Sequence, residues 1–232
     1  NLSWSRIAWV AADPGRAPAL LDAEARLEPL DVAPLLVRAQ PRFGWGGDLV
    51  LTGHIDLHSA PSFVADIEFG RQRGDLHVTD EAGTQALELT DLRLALDAHD
   101  GVWHFTQALA GKTLGAMAAA ATVRTDANAY WPPADAALQG VAEVRVANLS
   151  TWGAWVPAGW RLKGALHAAA SFGGKLGAPE YTGQIDGSGL GVRNLVEGID
   201  LHDGELDITL DGETATIGKL HARAGDGSLQ IT

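Results

Sequence analysis

Two stretches of sequence decide the fold class: LKGALHAAASF at residues 162–172 and GELDITLDG at residues 204–212. In both, apolar or small residues alternate with polar ones, and Gly-Asp or Asp-Gly pairs separate neighbouring runs. This period of two is typical of β-strands that turn one face to water. The same pattern continues from residue 162 to residue 231 with no helix between the runs. The end of the chain is therefore predicted to be a sheet with one apolar face.

The first part of the chain shows the same alternation, for example at residues 49–58, 63–69 and 92–96. A helix is plausible only between Arg16 and Leu36, and Pro29 and Pro34 argue against one beyond Glu28. From Ala23 onward we therefore predict strand and turn, and residues 127–137 are predicted to form a loop. The predicted fold class is all-β, with one short helix at most near the N-terminus.

The chain contains an approximate internal repeat. The matching segments are residues 26–30 with 145–149, 51–55 with 162–166, 76–78 with 190–192, and 110–114 with 225–229. A repeat of this length favours an elongated, stacked sheet over two globules. We therefore expect one continuous segment, residues 1–232, built of two related halves, 23–126 and 138–232. Chance agreement between two alternating sequences is the competing explanation.

Composition excludes several functions. The net charge of -12 is unsuited to a phosphate backbone, so no nucleic-acid partner is expected. The chain has no cysteine, which excludes disulfides and cysteine-ligated metals. No apolar run is long enough to span a bilayer as a helix. Both ends look cut, so we expect a piece of a longer protein.

No catalytic or cofactor motif emerges from the sequence. His54 and His58 share the polar side of one strand without a third ligand nearby, so solvated histidines are favoured over a metal pair. The acidic residues between Asp200 and Asp211 do not have the spacing of a calcium loop. No nucleophile elbow occurs. We therefore expect no enzyme activity, no cofactor and no metal.

Short phrases in the second half resemble a known family. These phrases are GKLGAPEYTG at residues 174–183, LGV at 190–192 leading into GIDL at 198–201 and GEL at 204–206, and AGDGSL at 224–229. They are preceded by VANLS at residues 146–150 and LKG at residues 162–164. In this order, the phrases resemble TamB, the translocation and assembly module family, and the first half carries the pattern more faintly.

The resemblance implies a β-taco, a sheet folded lengthwise into a U around an apolar trough. TamB-like proteins belong with the AsmA-like bridge-type lipid transfer proteins and act in the periplasm of Gram-negative bacteria. The parent is expected to be anchored in the inner membrane and to meet a TamA-like outer-membrane barrel through parts absent here. The expected partners of this segment are phospholipid acyl chains, carried between the two membranes in support of outer-membrane biogenesis.

Two other functions stay open. The chain could be a scaffold or chaperone that guides outer-membrane β-strands by edge pairing. A carbohydrate-acting β-helix is less favoured, because carboxylates and aromatic residues do not cluster on one stretch of strands. For the lipid conduit, the predicted trough lining consists of Leu51, Ile55, Leu57, Leu92, Leu94, Leu96, Leu162, Leu166, Ile199, Leu201, Leu206, Ile208, Leu210, Ile217 and Leu220. The Trp152, Trp155 and Trp160 cluster could line the trough, grip a partner strand or simply pack at a turn.

Overall fold

The structure is a computed structural model that describes residues 2–10, 20–39, 44–60, 62–80, 83–127, 129, 131–157 and 159–231. The strands of the described chain are β1 (Leu2–Val10), β2 (Leu20–Asp31), β3 (Trp45–Gly47), β4 (Val50–His58), β5 (Val64–Arg73), β6 (Leu76–Asp80), β7 (Gly83–Ala86), β8 (Leu89–His99), β9 (Val102–Gly111), β10 (Gly115–Arg124), β11 (Ala137–Val146), β12 (Trp160–Lys175), β13 (Ala178–Asn194), β14 (Ile199–Gly212), β15 (Thr214–Ala224) and β16 (Gly227–Ile231). Two short helices join them, α1 (Ala33–Ala39) and the 3-10 helix η1 (Leu149–Trp155).

Thirteen strands form one antiparallel sheet in the order β1-β2-β4-β5-β8-β9-β10-β11-β12-β13-β14-β15-β16. Each strand pairs with the next strand of this sheet along the chain, so the sheet is a plain meander that does not close into a barrel. Twelve spacings of about 4.8 Å give a path of roughly 58 Å across the strands. The prediction of an all-β elongated sheet is confirmed.

The remaining three strands form a small sheet in the order β3-β6-β7. This small sheet, α1 and η1 all arise from connections at the same end of the long strands, which we name the excursion end: α1 and β3 follow β2, β6 and β7 follow β5, and η1 follows β11. The opposite end, which carries the turns after β4, β8, β10, β12 and β14, is named the hairpin end. The predicted loop at residues 127–137 belongs to the connection between β10 and β11 at the hairpin end.

The helix α1 corrects the expectation drawn from proline. Residues from Leu20 to Asp31 form strand β2, as predicted from Ala23 onward, but a helix follows at Ala33 despite Pro34. Pro34 lies in the first turn, where its missing N–H has no intrahelical partner to lose. The Asp31 carboxylate accepts a hydrogen bond from the Ala33 N–H at 3.0 Å and so caps this start.

The repeat-like segments occupy similar places at three of their four pairs. Residues 26–30 lie on β2 and residues 145–149 run from β11 into η1, so both precede an excursion, and the paired segments 51–55 and 162–166 lie on the strands that follow it, β4 and β12. Residues 110–114 and 225–229 both occupy a turn between adjacent strands of the main sheet. The pair 76–78 and 190–192 differs, because the first lies on β6 of the small sheet and the second on β13 of the main sheet.

Candidate functional site

The candidate site is one face of the thirteen-stranded sheet. Directly paired residues of antiparallel strands point to the same face, so the ladders can be followed from strand to strand. Ile55 pairs with Ile67, Ile67 with Leu96, and Leu96 with Phe105. In the second half, Ile185 pairs with Ile208 and Ile208 with Ile217. Followed in this way, the ladders place all fifteen predicted lining residues on one face, which we name the apolar face.

No second layer formed by the described residues covers the apolar face. Of the fifteen predicted residues, thirteen are half-buried and two are exposed, Leu94 at 57% and Ile217 at 40%. Side chains between two packed sheets interdigitate and are mostly buried. Here neighbouring side chains of the same sheet bury part of each lining side chain, and the remaining surface of that side chain is accessible to a ligand on the apolar face.

A row of small residues crosses the middle of the apolar face. Ala119, Ala142, Ala170 and Gly183 are consecutive cross-strand partners on β10 to β13. Longer side chains flank this row. On the same strands, Phe172 and Tyr181 lie toward the hairpin end, and Met117, Val144 and Ile185 lie toward the excursion end. On the neighbouring β9, Phe105 lies toward the hairpin end and Leu109 toward the excursion end. The row therefore forms a low floor between two taller borders, running perpendicular to the strands.

An aromatic cluster closes the hairpin end of this face. The Trp103 side chain is 1% exposed, and its ring stacks on Phe63 with centroids 4.6 Å apart. Its indole N–H donates to the Thr125 hydroxyl at 3.2 Å, and the Trp131 ring stands edge-on to it with the two centroids 6.0 Å apart. Val123 and other buried residues complete the cluster. This border is held by the loops before β5 and after β10.

A second apolar cluster lies at the excursion end. Leu89 of β8, Leu49 just before β4 and Leu114 in the turn after β9 pack with Val78 and Leu87, which come from the small sheet and its connection. The Trp152 indole N–H donates to the Leu114 carbonyl at 3.1 Å and so joins η1 to the turn after β9. Trp152 thus packs at a turn, which was the plainest of the three interpretations of the tryptophan cluster.

The opposite face carries the charges. Its cross-strand ion pairs include Arg6 with Asp22 at 2.8 Å, Arg93 with Glu68 at 2.8 Å, and Lys219 with Glu205. A hydrogen bond from His167 and the nearby Arg145 hold the pKa of Glu143 below its usual value. Hydrogen bonding and charge attraction from Lys219 do the same for the pKa of Glu205. We name this face the polar face.

The two histidines singled out in the sequence lie on the polar face. His54 contacts Asp66 at 3.1 Å, and His58 lies between Asp56 at 2.8 Å and Asp22 at 3.1 Å. Each histidine therefore contacts a carboxylate of an adjacent strand, and His58 also contacts Asp56 of its own strand. Within the described ranges, no group of three or more histidine, aspartate or glutamate side chains has a geometry that could hold a metal ion.

Sequence reasoning missed part of the apolar face. Met117, Ala119 and Ala121 of β10 belong to it. Small residues occupy both parities of this strand, so alternation gave no signal there. Gln107 also lies on this face, directly between Leu94 and Ala119. A polar residue inside an apolar row has no signature in a single sequence, and only the register locates it.

Comparisons with known proteins give no relative. No protein-family model matches the chain, and no curated protein or solved structure matches it either. Among the described residues, no helix is both long enough and apolar enough to cross a membrane.

Proposed function

We propose that the apolar face carries the acyl chains of phospholipids, and that the chain is a non-enzymatic segment of a TamB-like lipid conduit. The observation that carries this proposal is a continuous apolar face across the main sheet on which all fifteen predicted lining residues remain open. Water contact with such a face is costly. An acyl chain on it is favoured by about 0.8 kcal/mol for each CH₂ removed from water.

The shape of the face supports a mobile chain rather than a fixed ligand. The floor of Ala119, Ala142, Ala170 and Gly183 runs across strands, and the Trp103 and Leu114 clusters lie toward the two strand ends. A lipid tail on this floor meets apolar atoms at every strand and few polar groups that would fix its position. Such a surface suits transport along the sheet more than storage at one site.

The wider setting follows from the resemblance and is part of the proposal. The polar face would meet the aqueous periplasm, and other parts of a parent protein would be anchored in the inner membrane and meet a TamA-like barrel. Flanking regions would continue the path toward each membrane. In this account the role of the described segment is to shield acyl chains from water along one part of the bridge.

Native mass spectrometry of the purified chain tests the proposal with two matched variants. Leu94 on the apolar face and Val141 on the polar face are both 57% exposed, so a carboxylate at either position stays hydrated and the sheet tolerates it. We expect the parent chain to retain phospholipid, Leu94→Glu to lose most of it, and Val141→Glu to keep it. Equal retention by both variants, or no lipid in any of them, would reject the conduit.

One observation favours strand pairing as a second function. Within the described ranges, the edge strand β1 pairs with β2 alone, and it exposes Trp4, Ile7 and Trp9 at 62%, 59% and 71%. An unpaired edge with apolar side chains is a template for another strand. If the chain is a chaperone for outer-membrane strands, a peptide from such a strand should protect the β1 amides from hydrogen exchange. A lipid conduit predicts no such protection.

A further inference from the structure

A cleft of about 290 Å³ lies between the small sheet and the main sheet at the excursion end. Its lining residues are Gly83, Thr84 and Gln85 of β7, Ser150 and Gly153 of η1, and Trp160, Arg161, Leu162 and Lys163 of β12. Both strands contribute consecutive residues. The cleft lies where β7, η1 and the first residues of β12 meet.

The β12 edge in this cleft has no ladder partner in the described chain. Strand β11 ends at Val146, which pairs with Leu166, so its register stops short of residues 160–163. On the other side, these four residues pair with β13, from Trp160 opposite Asn194 to Lys163 opposite Gly191. The Trp160 N–H donates to the Pro157 carbonyl at 3.2 Å, and among the described residues, those at 161–163 have no ladder partner on the side away from β13.

Among the described strands, β7 has a ladder partner in β6 alone, and on its outer side the Ala86 carbonyl accepts a hydrogen bond from the Thr113 hydroxyl at 2.7 Å. Thr79 of β6 donates its N–H to the Gly44 carbonyl, away from β7, at 3.0 Å. Thr84 lies directly opposite Thr79. Because the Thr79 N–H points away from β7, Thr79 and Thr84 are one of the pairs of an antiparallel ladder that exchange no hydrogen bonds with each other. The Thr84 N–H and C=O therefore point outward from the small sheet.

Two cations border the cleft. Within the part of the chain that the structure describes, neither Arg161 nor Lys163 lies in an ion pair, although the protein carries a net charge of -12. Arg161 is also the direct cross-strand partner of Arg193, whose only ion pair is with Asp200 at 3.6 Å. Like charges placed opposite each other are unfavourable, so this corner of the sheet holds a local excess of positive charge.

We propose that this cleft binds an extended peptide strand whose alternate residues are acidic. The peptide would pair with β7 on one edge and with residues 160–163 of β12 on the other, so the small sheet and the main sheet would become continuous. Main-chain hydrogen bonds would supply the affinity, and carboxylates spaced two residues apart would meet Arg161 and Lys163, which share one side of β12. The site is separate from the lipid floor.

The probe is the acetylated and amidated pentapeptide VEVEV, with VQVQV as its uncharged counterpart and VEVEV methylated on both glutamate nitrogens as the backbone control. Binding is measured by fluorescence anisotropy, and the site is located by hydrogen exchange. We expect VEVEV to bind and to protect the Thr84 amide. Methylation should weaken it by about tenfold, since the methyl groups remove strand hydrogen bonds and block an edge. VQVQV should bind more weakly than VEVEV.

Substitutions separate strand pairing from charge. The double variant Arg161→Ala, Lys163→Ala should weaken VEVEV about fivefold and leave VQVQV unchanged. Thr84→Pro removes the outward N–H and should weaken both peptides, and if this variant fails to fold, the methylated peptide decides the same question. Equal binding of methylated and unmethylated VEVEV, or full competition by inorganic phosphate, would overturn the proposal in favour of a simple anion site. Absence of protection at Thr84 would also overturn it.

Discussion

The Phe172 ring covers Gly140, its direct partner on the neighbouring strand β11. A Cβ atom added to Gly140 would stand 2.3 Å from the Phe172 ring and 2.6 Å from the Ala120 carbonyl oxygen. The same arrangement occurs in the first half, where Phe69 covers Gly53 on β4. An aromatic ring that packs over a cross-strand glycine shields the glycine backbone and helps to fix the register.

Replacing this glycine should destabilise the sheet. Gly140→Ala forces the ring or the backbone to shift, and we expect a loss of about 1–3 kcal/mol in the free energy of unfolding. The measurement is the denaturant midpoint. Gly173→Ala is the control, because its Cβ would meet nothing closer than 3.7 Å. A Gly140→Ala protein as stable as this control would show that the ring does not need the glycine.

The aromatic border at the hairpin end should be a main source of stability. Trp103→Ala removes a side chain that is 1% exposed and leaves a cavity between β8 and β10, so we expect a loss of about 3–5 kcal/mol. Thermal or chemical denaturation measures it. Trp131→Ala is the comparison, since Trp131 is 70% exposed and should matter far less. Equal effects of the two substitutions would contradict the cluster as described.

Two carboxylates make the stability depend on acid pH. The folded protein lowers the pKa of Glu143 and of Glu205 from a reference value of 4.5. The folded state therefore holds fewer protons, so their contribution is present above pH 4.5 and is lost as the pH falls through the lowered pKa. Glu143→Gln and Glu205→Gln should each flatten the fall of the denaturant midpoint below pH 4.5, and high salt should reduce the difference. An unchanged slope in both variants would contradict these pairings.

The sequence predicted the long strands because alternation is strong where apolar and charged residues exchange places, as from Leu206 to Leu210. It could not predict that residues 76–80 belong to the small sheet. Alternation shows which side chains of a strand share a face, but it does not show which strands lie next to it. Pro34 misled for a related reason, because a proline forbids the interior of a helix but not its first turn. Both the sheet to which residues 76–80 belong and the helix that starts at Ala33 depend on contacts with residues distant in sequence.

The sequence predicted many of the residues that lie on the apolar face, but it did not predict the two clusters at the ends of that face. Alternation put Ile199 and Leu201 in one run and Leu206 and Ile208 in another, and the register shift between His202 and Glu205 brings both runs of β14 to one face. The register places them together with Leu51 and Leu94 from the other half. The floor at Ala119 carried no parity signal, because small residues occupy both parities of β10. The clusters around Trp103 and Leu114 bring together residues far apart in sequence, which only the fold can do.

Photo-crosslinking at two adjacent residues tests the central claim most directly. Ile208 lies on the apolar face and Asp207 on the polar face of the same strand, and both are half-buried. With a photoreactive benzoyl-phenylalanine at one position or the other, the protein is mixed with phospholipid vesicles, irradiated and analysed by mass spectrometry. The account predicts lipid adducts at position 208 and none at position 207. Equal adducts at both positions, or none at either, would contradict it.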